Sequence, residues 1–402
     1  MNKLKYAIIG CGRRGMALYK DGALKGRDDA VCVALCDVYE DRLNALSEEV
    51  KKDTGSSPVL YNDYRRCIDE AGVQAVVIST AWDSHLDIAM YAMERGIPAG
   101  VEVGGAYSLD SLWRLVRCYE RSGTPVMLLE NCCYGRLELL ALNMKRLGLL
   151  GKIVYCEGGY CHDLREQIAF GLENRHYRFL QYKNRNTENY PTHEIGPIAK
   201  LLDINCGNRF LSLHSVSTKS VGMQEYIEAH GPERLKGETF NQGDIISTTI
   251  KCQNGEAVNI VLDTSLPRYY SRRFTVRGSK GIISEDNMSV YLAKEHTEEI
   301  LDWSPEFNNI NKYYEKYDHP LWRNYDQKGG HGGLDWLVMT AFFNAVRENK
   351  PMPVDVYDMA TYMAITVLAE ESLATGNTVY FPDFTEGKWM LRQNNFASEN
   401  ED

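Results

Sequence analysis

Residues 6–15 read Tyr6-Ala7-Ile8-Ile9-Gly10-Cys11-Gly12-Arg13-Arg14-Gly15, and their reading decides the fold. The apolar part, Tyr6 to Ile9, predicts a buried parallel strand, and the G-x-G-x-x-G that follows predicts a turn into a helix. Gly10 allows the tight turn, Gly12 leaves no Cβ between backbone and a pyrophosphate, and Gly15 lets the helix pack on the strand. That helix aims its first N–H groups and the positive end of its dipole at the phosphates. A second apolar run, Val31 to Cys36, ends in Asp37 at about the 20-residue spacing expected of a ribose acceptor. A carboxylate there accepts from both ribose hydroxyls and repels a 2′-phosphate, which favours NAD over NADP. A glycine turn that binds nothing would leave Asp37 to chance.

At 402 residues the chain is long enough for two domains. Forty-five Lys plus Arg against 55 Asp plus Glu give a net charge of −10, which argues against nucleic acid and anionic membranes as partners. No apolar run reaches the about 18 residues of a membrane span. The first strand begins almost at Met1, so no signal peptide is expected within this sequence. Eleven cysteines without C-x-x-C spacing read as small buried side chains in a reducing cytoplasm, and no metal site is expected.

Strand and helix alternate through the first third of the chain. Helices are expected over Glu40–Lys52, Asp63–Ala71 and Ser108–Arg121, with strands at Pro58–Tyr61, Ala75–Thr80, Pro98–Val103 and Pro125–Leu129. Ser84 is expected to cap a further helix running to about Arg95. This pattern specifies an α/β fold, a doubly wound parallel Rossmann sheet with helices on both faces. Ligands of such sheets sit at the strands' carboxyl ends, so Thr80, Trp82, Glu102, Val103 and Asn131 join Arg13, Arg14 and Asp37 as candidate cofactor residues. His85 is counted with them, packing on its own helix being the plainer reading. Beyond Glu130 come helices at Gly135–Leu147 and Tyr190–Leu202 and a series of strands between Leu211 and Leu292. These predict a C-terminal α+β domain on a mostly antiparallel open sheet, closed by helices over Leu334–Arg347 and Asp355–Ala374. The expected division is 1–131, 132–390 and a flexible acidic tail at 391–402.

Three polar clusters stand out in the second half. In Gly158-Gly159-Tyr160-Cys161-His162-Asp163-Leu164-Arg165, at a strand end, the two-residue period puts Tyr160 and His162 on one side. In Asn189-Tyr190-Pro191-Thr192-His193, Pro191 suits a first helical turn, and Tyr190 and His193, three apart, can share a cleft. Lys328-Gly329-Gly330-His331-Gly332-Gly333-Leu334-Asp335 is a glycine-rich entry to a helix. Arg178, between Tyr177 and Phe179, could clamp a polar group. Each has a plainer reading: packing for Tyr160, a local hydrogen bond for His193, a helix entry for the glycines.

Together these residues resemble the Gfo/Idh/MocA oxidoreductases, and within them glycoside hydrolase family 109, the NAD-dependent α-N-acetylgalactosaminidases. The resemblance rests on Glu102-Val103-x-Gly105-Ala106, Glu130-Asn131, Tyr160-x-His162-Asp163-Leu164-Arg165, Tyr190-Pro191-Thr192-His193 with Gly196-Pro197, and Gly330-His331-Gly332-Gly333-x-Asp335. It spans about residues 4 to 390. Ordinary members carry Glu-Lys-Pro after the fifth strand and Asp-x-x-x-His on the later helix. Here these places read Glu102-Val103-Gly104 and Asn189-x-x-x-His193, so the usual catalytic lysine is absent, as in the hydrolase-like relatives.

The resemblance implies a redox-neutral glycosidase that oxidises C3 transiently, deprotonates C2, eliminates the aglycone, adds water and is re-reduced. It gives Tyr160 and His193 as catalytic residues, and Glu130, His162, Arg165, Arg178, Tyr190 and His331 as substrate-binding residues. It also implies a carbohydrate substrate and a homo-dimer or tetramer. The rivals are a sugar or cyclitol dehydrogenase with net hydride transfer and a non-catalytic NAD sensor.

Overall fold

The computed structural model describes residues 3–295 and 302–398. They fall into two compact units. One takes the described residues of Met1–Tyr134, Asn324–Ala360 and Asn395–Asp402, and the other takes Gly135–Arg323 and Thr361–Asn394. Residues 324–360, which the sequence reading left with the C-terminal part, therefore pack with the N-terminal sheet.

In the first unit the chain runs β1 (Leu4–Ile9), α1 (Arg13–Lys20), β2 (Ala30–Cys36), α2 (Glu40–Thr54), β3 (Val59–Tyr61), α3 (Tyr64–Glu70), β4 (Ala75–Ile78), α4 (Trp82–Met93), β5 (Ala99–Val101), α5 (Leu109–Ser122) and β6 (Val126–Leu128). All six strands pair in parallel, in the order β3-β2-β1-β4-β5-β6. Every residue of β4, β5 and β6 is buried, as expected of a sheet covered on both faces. The order reverses between β1 and β4, the point where such sheets take their ligands. One expectation fails locally. The α4 helix starts at Trp82, and Ser84 lies in its first turn, donating to Ala81 O at 2.9 Å and Thr80 Oγ1 at 2.8 Å rather than capping.

In the second unit the chain runs α6 (Arg136–Arg146), β7 (Ile153–Cys161), α7 (Arg165–Ala169), α8 (Arg178–Asn184), α9 (Thr192–Leu201), β8 (Phe210–Ser217), α10 (Gly222–His230), β9 (Ile245–Cys252), β10 (Ala257–Asp263), β11 (Thr275–Gly278), β12 (Gly281–Ser284), β13 (Ser289–Leu292) and α11 (Ile310–Tyr317). Next come α12 (Leu334–Glu348) in the first unit, α13 (Val356–Thr375), and β14 (Val379–Tyr380) in the second. Its sheet has the order β13-β12-β11-β7-β10-β9-β8-β14, and only β7 and β10 pair in parallel. Burial alternates along β9, so one face of the sheet carries the core. Helix α9 covers β7 closely: a Cβ added at Gly158 would lie 2.9 Å from Glu194 Cβ.

The described part of the tail, to residue 398, makes defined contacts. Arg392 Nε donates to Asn205 O at 3.0 Å, and Asn394 Nδ2 donates to Lys200 O and Asp203 Oδ1. Phe396, 4% exposed, sets its ring edge-on to Tyr134 at 5.2 Å. Residues 399–402 lie outside the described set. All eleven cysteines are free, and Cys206 alone among them is not fully buried. Among the described residues no helix is long and apolar enough to cross a membrane.

Candidate active site

The glycine turn of the first unit has the shape a dinucleotide needs. A Cβ at Gly15 would lie 2.1 Å from Gly10 O, so glycine is what lets α1 pack on the turn. Above Gly12 the nearest atoms are those of the Arg42 guanidinium, 3.2 Å from an added Cβ and at the end of a flexible side chain. No side chain caps α1, and its first turn holds no acid, so its amide end suits an anion. Asp37 is fixed at the end of β2 by two backbone N–H groups: Cys11 donates to Oδ2 at 2.7 Å and Tyr39 to Oδ1 at 2.9 Å. Arg42, which nothing in the motif singles out, brings a cation from α2 over Gly12.

The other cofactor candidates divide into two kinds. Arg13 is exposed and Thr80 half-buried. Trp82, Val103, Glu102 and Asn131 are buried. His85 is 2% exposed; burial pushes its imidazole down to about 4, against hydrogen bonds with the Thr80 and Glu102 backbones. Its Nε2 lies 3.0 Å from Thr80 O, so the neutral ring braces the β4–α4 turn. Arg14 makes a bidentate pair with Asp335, 2.8 Å at each contact, and its Nη2 lies 2.9 Å from Glu102 Oε1. Glu130 is fully buried and accepts from Cys132 N at 3.0 Å.

In the second unit three rings converge. Tyr160 ends β7, and Tyr190 and His193 come from the start of α9, where Pro191 is the N-cap. The Tyr160 and Tyr190 centroids are 4.5 Å apart, Tyr160 and His193 5.6 Å, and Tyr190 and His193 4.9 Å with perpendicular rings. Arg178 of α8, 7% exposed, lies 4.9 Å from the Tyr190 centroid and 5.8 Å from that of Tyr160. Burial works against its charge, while Tyr160, Tyr177 and Tyr190 around it hold its pKa above the ordinary value. Its Nη1 donates to Gln167 Oε1 at 2.9 Å, which fixes the guanidinium plane.

His162 lies beside Tyr160 at 6.1 Å, and Tyr270 meets the His162 ring edge-on at 5.5 Å. Tyr270, half exposed and absent from the sequence-based candidates, sits between β10 and β11, where no periodicity marks it. Arg165 is committed to Asp163 through contacts of 2.9 and 2.7 Å. Asn189, where ordinary relatives carry aspartate, donates from Nδ2 to Gln242 Oε1 at 2.5 Å.

Residues 134–391 match the model of the glycosyl hydrolase 109 C-terminal domain, and residues 4–129 match that of the oxidoreductase family with an NAD-binding Rossmann fold. The chain belongs to glycosyl hydrolase family 109. A family 109 protein of Stenotrophomonas maltophilia is 38% identical, covering 98% of this chain and 92% of that protein. An alpha-N-acetylgalactosaminidase of Tannerella forsythia is 35% identical, covering 98% and 89%. Among solved structures, an NAD-binding oxidoreductase of Klebsiella pneumoniae superposes with a TM-score of 0.69 at 15% identity, covering 94% and 98%. A scyllo-inositol dehydrogenase of Lactobacillus casei with bound NAD(H) and scyllo-inositol gives 0.67 at 13%, covering 94% and 99%. These two share the fold. As a family 109 member with a Rossmann domain, the protein is an NAD-dependent glycosidase.

Proposed function

We propose that this family 109 enzyme cleaves α-N-acetylgalactosaminides or related N-acetylhexosaminides by a redox-neutral elimination and addition. The substrate class rests on the names of relatives such as those of Tannerella forsythia and Shewanella oneidensis. The observation that carries the chemistry is the Tyr160–Tyr190–His193 cluster with buried Arg178 against two of its rings. NAD, when bound, supplies the acceptor for the C3 hydride and gives it back at the end of the cycle. Gly10, Gly12, Arg13, Gly15 and Asp37 would hold its adenosine and pyrophosphate, with Arg14, Thr80, Trp82, His85, Glu102, Val103 and Asn131 completing the pocket.

The protein's own groups then move protons. His193 takes the proton of the C3 hydroxyl, imidazole being the commonest general base. With a carbonyl at C3 the C2 hydrogen becomes acidic, and the Tyr160 oxygen removes it. Arg178 balances the negative charge that develops there and on the enolate. The C1–oxygen bond breaks as the aglycone leaves, water adds at C1 and its released proton goes to the aglycone oxygen, and the same two residues return their protons, Tyr160 to C2 and His193 to the C3 oxygen. Tyr190 orients the ring, with His162 and Arg165 on the substrate side of the second unit. Val103, standing where ordinary relatives have lysine, moves no proton, which throws that work onto the second unit. This differs from two-carboxylate hydrolysis, where no redox cofactor enters.

The test is a glycoside panel assayed with and without NAD, following aglycone and NADH together. Aglycone released only with NAD, and no net NADH, is expected. Net NADH from free sugar would mean a dehydrogenase, and turnover without NAD would overturn the mechanism. A reducing compartment is inferred from the eleven free cysteines. A dimer or tetramer is proposed from the family resemblance, and light scattering would detect it.

A further inference from the structure

Asp335 is 1% exposed, in the first turn of α12, and its carboxylate gathers groups from two distant parts of the first unit and from its own loop. Arg14 of α1 donates to both oxygens, and Asn131, just past β6, donates from Nδ2 to Oδ1 at 2.7 Å. His331 Nδ1 donates to Oδ2 at 2.8 Å. Four donors fill the roughly four acceptor sites a carboxylate offers. Asp335 therefore has nothing left to give a ligand; it holds other side chains in place. The loop that delivers it takes left-handed backbone at Gly329, His331, Gly332 and Gly333. His331 has φ of 53°, a conformation costly for a residue with a Cβ. The chain thus accepts strain to put the imidazole on this carboxylate. Burial alone would neutralise the acid, but the hydrogen bonds from Arg14 and His331 hold its pKa far below the ordinary range.

The sheet order gives this hub a direction. Asp37 follows β2, on one side of the β1–β4 reversal, and marks the adenosine side. Glu102 and Asn131 follow β5 and β6 on the other side, where the nicotinamide half of a dinucleotide spanning the reversal must fall. We propose that Asp335 is a positioning residue for the nicotinamide half of the NAD site, fixing Arg14 and Asn131 without touching the cofactor. This rests on the cofactor assignments under Proposed function and adds the residue that orders them.

The experiment titrates the intact enzyme, stripped of nucleotide, with NAD and separately with ADP-ribose. Asp335→Asn should raise the NAD Kd about 10- to 100-fold, the range seen when a group orienting direct ligands is lost. The ADP-ribose Kd should stay within about twofold of wild type, because that fragment lacks the nicotinamide ring. Arg14→Lys keeps the charge but not the bidentate geometry and should act in the same direction; it carries the test if Asp335→Asn does not fold. The double variant should be no worse than the poorer single, as for residues acting as one unit. Unchanged NAD affinity in folded variants, or equal weakening for both ligands, would overturn the proposal. A wild type that binds neither ligand would instead overturn the cofactor site itself.

Discussion

Tyr160 is 7% exposed, with Tyr190 and His193 against its ring and the Arg178 charge 5.8 Å from its centroid. Removing only its oxygen leaves that packing intact and isolates its proton transfer. Tyr160→Phe should lower kcat/KM by about 100- to 10,000-fold, the usual worth of one acid–base group, with NAD affinity unchanged in a binding titration. An unchanged kcat/KM would return Tyr160 to a packing role. Two residues before Tyr190, Glu188 is wholly buried, and burial pushes its carboxyl up to about 8 from 4.5, although the Tyr190 backbone and Glu194 pull the other way. Between those two values the folded protein keeps a proton that the unfolded chain has lost, so stability falls as pH rises through that window. Urea unfolding at about pH 5 and about pH 8 should show this fall in wild type and a flatter profile in Glu188→Gln. Equal pH slopes in both would contradict it.

At the scale of elements, the β5–α5 connection and α4 are locked by one close approach: a Cβ at Gly104 would lie 2.4 Å from Trp82 Cδ1. Gly104→Ala should displace the indole and destabilise the protein by about 1–3 kcal/mol, the usual cost of overpacking, visible as a shift in tryptophan emission and a lower Tm. The sheet that carries this turn was readable from local sequence, because Tyr6–Gly15, Ala75–Thr80 and Asp37 state strand, turn and acceptor within a few residues. The Tyr160/His162 and Tyr190/His193 pairs were readable for the same reason, each obeying a strand or helix period. Their meeting was not, since it depends on α9 lying across β7 at Gly158. Helices α7, α8, α10 and α11 escaped notice because each is nine residues or fewer and polar on one side. Asp335 stood inside a quoted motif, yet its partners Arg14 and Asn131 are hundreds of residues away, and no spacing rule reaches them.

At the scale of the whole molecule, the chain joins a redox fold to a hydrolytic family, and its residues explain why both are needed. The Rossmann unit lacks the lysine that would complete a simple dehydrogenase, offering Val103 instead. On the proposed reading, the second unit supplies tyrosines, a histidine and a buried arginine for the work that ordinary glycosidases give to two carboxylates. Hydrolysis by such groups demands an acidic C2 hydrogen, and only transient oxidation of the sugar makes one. The deciding measurement is therefore hydrolysis of an α-N-acetylgalactosaminide in deuterated water with NAD bound, reading the released sugar by mass and proton resonance. Deuterium at C2 of the product, absent when the nucleotide is removed, is the predicted result; released sugar that keeps its original C2 hydrogen would contradict it.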